Sequence, residues 1–108
     1  MIKPKVSDKF DYEGEMALII GKTCRHVPEA DALSVVAGYS CYNDGSIRDF
    51  QNHTPQWAPG KNFPKTGGFG PWMVTADELG DPTQLTLETR LNGNTMQKTT
   101  TEIGRAHV

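Results

Sequence analysis

The dipeptide Asn92-Gly93, preceded by Leu85, Leu87, Thr89 and Leu91 at every second position, constrains the fold of this chain more than any other feature. Alternation with period two puts those four side chains on one face of a strand. Asn-Gly then supplies two residues that tolerate the positive φ angles of a two-residue hairpin turn. A returning strand is expected from Asn94 to about Thr100. Phe10 to Ile20 is a further strand candidate, ending at Gly21-Lys22, and another runs from Tyr39 to Asn43, ending at Asp44-Gly45. Trp72-Met73-Val74 reads as a short buried strand, and Asp81-Pro82 as a turn.

Helical signals are few. Pro28 suits the first turn of a helix, and Ala30, Leu33 and Ala37 recur at helical spacing, so one short amphipathic helix is expected there. Ser46-Ile47-Arg48-Asp49 has the spacing of a capping box with Asp in place of Glu, which predicts a helical turn starting at Ser46. The stretch Asn52 to Pro71 carries four of the seven prolines and reads as a long ordered loop or lid. The fold class is therefore mainly β, with one short helix and a long Pro/Gly-rich loop.

With 108 residues, the chain has room for one small domain or part of a larger one. A net charge of -2 and no cluster of Lys and Arg leave no electrostatic footprint for nucleic acid or an anionic membrane. No apolar run approaches the roughly 20 residues of a membrane span, and the N-terminus lacks the apolar core of a signal peptide, so a cytoplasmic location is expected. Cys24 and Cys41 fit neither a CxxC pair nor a zinc-ligand spacing and are expected to be reduced and buried.

The chemistry concentrates at Glu13-Gly14-Glu15. On a strand, positions i and i+2 project together, so the two carboxylates share a face, and Gly14 between them leaves room for a close approach to the backbone. Two negative charges held that close ask for a cation. Asp44 adds a third carboxylate at a strand end. With no His or Cys in ligand spacing nearby, hard oxygen donors of this kind favour Mg2+ or Mn2+, with Ca2+ also admitted, over zinc. Taken alone, a Glu-x-Glu pair also fits the solvated face of an edge strand. His26 and His53 read as loop or surface residues.

Four motifs follow one another in order: Asp11-Tyr12-Glu13-Gly14-Glu15; Asn43-Asp44 with Ser46, Arg48, Asp49 and Gln51; Gly60-Lys61-Asn62-Phe63; and Gly70-Pro71-Trp72. Together they resemble the fumarylacetoacetate hydrolase family from about Lys5 to Thr101, and within it the bacterial members acting on 2-hydroxyhepta-diene-dioate and related keto acids of aromatic catabolism. The resemblance implies part of that family's mixed β-sandwich or roll. It implies Glu13, Glu15 and Asp44 as ligands of Mg2+ or Mn2+, and Lys61 as the catalytic lysine facing a metal-bound substrate. An ammonium beside a metal has its proton affinity lowered, so Lys61 could stabilise a developing enolate or shuttle a proton. Arg48 and Gln51 match positions that contact substrate in some members. Thr66 is a third candidate substrate contact, although it lies one place later than the threonine of the family's Phe-Asp-Thr pattern.

The implied activity is metal-dependent hydrolysis of a C–C bond, or isomerisation or decarboxylation, of a small 2-keto or β-diketo acid. The implied partners are that substrate and, for a full-length protein, a second copy in a homodimer. The alternative is a non-catalytic cation-binding β domain. Family enzymes are longer and carry a His and Glu pair before the Glu-x-Glu strand, which is absent here. Residues 102 to 108 do not continue the family pattern and read as the in-frame translation of a sequencing adapter. The expectation is thus a partial catalytic domain over residues 1–101, inactive by itself, with a non-native tail that packs poorly and an exposed apolar surface.

Overall fold

The structure, a computed structural model, describes residues 1–103. Its centre is a three-stranded antiparallel sheet in the order β2-β3-β5, formed by Gly14–Ile20, Val36–Asp44 and Gly67–Thr75. A two-stranded ribbon, β1 (Phe10–Asp11) with β4 (Ser46–Ile47), continues from the end of β2-β3. The run from Phe10 to Ile20 is therefore two strands, broken at Tyr12-Glu13. Opposite that break, β3 passes into β4 through Gly45, so both chains turn at the same level. The ladder continues across it, since Asp44 N donates to the Glu13 carbonyl at 3.0 Å and Glu13 N donates to Asn43 Oδ1 at 3.1 Å.

The hairpin forms where alternation and turn chemistry place it. Thr86–Leu91 (β6) pairs antiparallel with Asn94–Thr100 (β7), with Asn92 and Gly93 at φ 51° and 84°. It lies against β2 at Gly14, where Thr89 Oγ1 meets the space a Cβ would fill, and Gly14 N donates to Gln97 Oε1 at 3.1 Å. The room left by Gly14 is taken by the chain's own hairpin. Further along, Leu85 and Leu87 face Met16, Tyr39 and Val74 across an apolar cavity of about 300 Å³.

Three short helices join the strands: α1 (Arg48–Gln51) and α2 (Ala58–Lys61) lie between β4 and β5, and α3 (Ala76–Leu79) follows β5. The stretch Asn52 to Pro71 is thus not all loop, because it contains α2 and the first five residues of β5. The helix expected after Pro28 is a 3-10 helix, Glu29–Val35, with no buried residue. It ends where Val36, β-branched and extended, starts β3. Asp81 caps the next 3-10 turn, Pro82–Gln84, its carboxylate accepting from Thr83 N at 2.9 Å.

Burial departs most from the sequence reading. Among the described residues only Tyr39 and Ile47 are buried hydrophobics, while Leu18, Ile20, Phe69 and Trp72 are at least half exposed. The radius of gyration, 15.7 Å, exceeds the roughly 13 Å of a compact chain of about this length, which is why so little is enclosed. Trp72 and Met73 lie on β5 as a strand, but at 70% and 44% exposure they are not the buried strand expected. β5 is an edge of its sheet, with a paired strand on one side only. Cys24 and Cys41 are free thiols, but both are exposed rather than buried. Cys24 lies in the turn after β2, and Cys41 borders the gap under the hairpin.

Thr101–Ile103 closes the described chain as a 3-10 turn, with Thr101 N donating to the Leu85 carbonyl at 2.9 Å. Most of the expected tail, His107 included, lies outside the described residues. No described helix is long and apolar enough to cross a membrane.

Candidate metal centre

The turn shared by β1-β2 and β3-β4 assembles the centre. Glu13 lies in the break, Glu15 is two residues on along β2, and Asp44 ends β3, so three carboxylates from two adjacent strands converge. One oxygen from each lies within 4.8 Å of the others.

Lys61, at the end of α2, reaches this cluster from the side. Its Nζ donates to Asp44 Oδ2 at 2.7 Å and to Ser46 Oγ at 2.5 Å, and lies 2.9 Å from Glu13 Oε1. α2 is held in place by close backbone contact with α1, since a Cβ on Gly60 would lie 2.6 Å from Gln51 N. Arg48, the first residue of α1, spans the other side. Its Nε donates to Asp11 Oδ2 at 2.9 Å, and its Nη1 donates to Glu13 Oε1 at 2.5 Å and to Gln51 Oε1 at 2.9 Å.

These contacts divide the carboxylates into two kinds. Partial burial opposes charge on Glu13, but hydrogen bonds from Lys61, Ser46 and Arg48 together outweigh it and hold the carboxyl below its ordinary range. Glu15 has the opposite balance: loss of hydration, then the charges of Asp44 and Glu13, push it up. Burial also opposes the Lys61 ammonium, yet Asp44 and Glu13 more than compensate and raise its proton affinity. The same contest, with Asp11 and Glu13 as partners, raises Arg48.

The donor set fits a hard divalent cation. It offers carboxylate oxygens alone, without nitrogen or sulfur, and Glu15 is the member whose repulsion by its neighbours a cation would relieve.

The structure thus brings together Glu13, Glu15, Asp44, Lys61 and Arg48, with Gln51 behind Arg48. Thr66 is buried one residue before β5, its hydroxyl donating to the Phe63 carbonyl at 2.8 Å. Two contributors escaped the sequence reading. Asp11 holds Arg48, and the Asp11-Tyr12-Glu13 run contained it without disclosing its partner. Ser46 is the larger surprise, because the capping role expected of it is not observed. The helix begins at Arg48 behind Ile47, with no side-chain cap, and Ser46 belongs to β4. Its pairing with Asp11 in the ribbon turns the hydroxyl toward Glu13, Oγ donating to Oε1 at 2.9 Å.

Fold and site together define an antiparallel β module with an acidic centre closed by a lysine and an arginine. The chain belongs to the fumarylacetoacetate hydrolase family: the family model described as fumarylacetoacetate (FAA) hydrolase C-terminal matches residues 2–103. A 2,4-didehydro-3-deoxy-L-rhamnonate hydrolase of Sphingomonas sp. is 45% identical over 98 residues, 90% of this chain and 34% of that protein. The fumarylacetoacetate hydrolase from psychrophilic Exiguobacterium antarcticum superposes with a TM-score of 0.82 at 41% identity, covering 90% of this chain and 35% of the other. The 2-hydroxyhepta-2,4-diene-1,7-dioate isomerase from Mycobacterium marinum gives 0.81 at 36% identity, covering 89% and 37%. The chain spans about a third of the length of the curated relatives it matches, 34% for the Sphingomonas enzyme.

Proposed function

We propose that this chain supplies the metal-binding part of an active site that acts on a small 2-keto or β-diketo acid, with Mg2+ or Mn2+ as cofactor. The observation that carries this reading is the convergence of Glu13, Glu15 and Asp44 within 4.8 Å, with Lys61 Nζ 2.7 Å from Asp44. Similarity to a hydrolase and to an isomerase of related acids supports it.

Glu13, Glu15 and Asp44 would hold the cation, which when bound supplies Lewis-acid polarisation of the substrate carbonyl. Lys61 stands beside those oxygens with a full positive charge, where it can meet negative charge developing on a keto-acid oxygen. Arg48 neutralises Asp11 and Glu13 and keeps Glu13 ionised, ready to act as a ligand. Gln51 accepts from Arg48 and fixes the direction of the guanidinium. Hydrolysis, isomerisation and decarboxylation of such acids all need this charge stabilisation next to a carbonyl, so the reading extends to all three.

Calorimetric titration with Mg2+ and Mn2+ tests it, comparing the chain with a variant in which Glu13, Glu15 and Asp44 are all Ala. Binding that the variant loses supports the reading. Equal binding in both, or none in either, contradicts it.

A further inference from the structure

Ser46 is fully buried, and every side-chain contact of its hydroxyl is with a group of the acidic centre. Its single proton faces Glu13 Oε1 at 2.9 Å and the Asp44 carbonyl at 3.1 Å, while its oxygen accepts from Lys61 Nζ at 2.5 Å. A buried hydroxyl without partners is costly, so its orientation is tied to those groups. Helix α1 does not use it.

Lys61 has three N–H groups, and Asp44, Ser46 and Glu13 account for all of them. Two of these acceptors are the carboxylates a cation would engage. Ser46 is the third and carries no charge, so its hold on Lys61 draws on no oxygen that a cation would engage. It also holds Glu13 itself, as outer partners orient a metal ligand.

We propose that Ser46 is a positioning residue of this centre, its hydroxyl fixing the Glu13 carboxylate and the Lys61 ammonium relative to each other. The part concerning Glu13 as a ligand rests on the metal-site reading above, whereas the link to Lys61 does not. The assignment explains a buried polar residue in a two-residue strand, where an apolar side chain would otherwise be expected.

Two readouts on Ser46→Ala test it. The first is the rate at which an amine-acylating reagent modifies Lys61 in the metal-free chain, followed by mass spectrometry against the exposed Lys22 as internal reference. The second is Mn2+ affinity. The expected result is a severalfold rise in the Lys61-to-Lys22 labelling ratio and a loss of about 10- to 100-fold in affinity, with an unchanged circular dichroism spectrum. A ratio that does not rise overturns the link to Lys61, and a rise accompanied by faster amide exchange throughout the fold marks a general loosening and overturns the assignment. Wild-type affinity in Ser46→Ala overturns the link to Glu13. Failure of the wild-type chain to bind Mn2+ sinks the metal-site reading instead, and the labelling ratio then decides the link to Lys61 alone.

Discussion

Lys61 Nζ lies 2.7 Å from Asp44 Oδ2, joining two residues 17 positions apart and tying helix α2 to the end of the central strand. The pair is mostly shielded, with side-chain exposures of 19% and 26%, so removing one partner costs more than breaking a surface ion pair does. Lys61→Met removes this bond together with those to Ser46 and Glu13, leaving Asp44 without its cation and Glu13 with Arg48 alone. We expect a loss of about 2 kcal/mol in urea unfolding with chelator present, and unchanged stability would show the contacts to be dispensable.

Gly60 sits where α2 crosses α1, and a Cβ there would lie 2.6 Å from Gln51 N and 2.7 Å from Gln51 Cα. Backbone cannot rotate away as a side chain can, so Gly60→Ala must push the helices apart and carry Lys61 from the carboxylates. The expected cost is about 1–3 kcal/mol, and the Lys61 labelling rate should rise with it. A variant of wild-type stability would contradict this packing.

Gly93 adopts φ 84° at the tip of the hairpin, and nothing lies within 4 Å of where its Cβ would be. The cost of Gly93→Ala is therefore backbone strain alone, about 1–2 kcal/mol. Amide exchange should accelerate along β6 and β7 while the β2-β3 amides keep their protection. Uniform acceleration would show that the hairpin does not open separately.

Glu88 gives the clearest pH signature. Hydrogen bonds from Arg90 and Thr95 lower its carboxyl from 4.5 to about 2. A carboxyl depressed on folding contributes stability that is fully present above its unfolded value and is lost as pH falls through the folded one. The stability difference between wild type and Glu88→Gln should therefore be constant above pH 4.5 and shrink between pH 4.5 and about 2. A difference that holds steady through that window would contradict the pairing.

What could be read from the sequence was local. The hairpin needed only the alternation from Leu85 to Leu91 and the Asn92-Gly93 turn, both complete within a short stretch. The shared face of Glu13 and Glu15 needed only the two-residue period of a strand. Asp44 was read from its place at a strand end, but Lys61 was reached through the resemblance, because nothing near it in sequence shows that β3 and α2 meet. The errors were of the opposite kind. Ser46 was read by its local spacing as a helix cap, but pairing with Asp11 gave its hydroxyl a stronger set of partners. Cys41, Trp72 and Met73 were read as buried from residue type. Exposure, however, depends on which elements cover a strand: β5, with Trp72 and Met73, is an edge, and Cys41 on β3 borders the gap under the hairpin.

The central claim is that Glu13, Glu15 and Asp44 form one cation site. Anomalous diffraction from crystals of the chain grown with Mn2+ tests it most directly. An anomalous peak is expected within coordination distance of an oxygen from each of the three carboxylates, with Lys61 still beside Ser46. A saturating Mn2+ concentration that leaves no peak among them, with Lys61 still bridging Glu13 and Asp44, would contradict it.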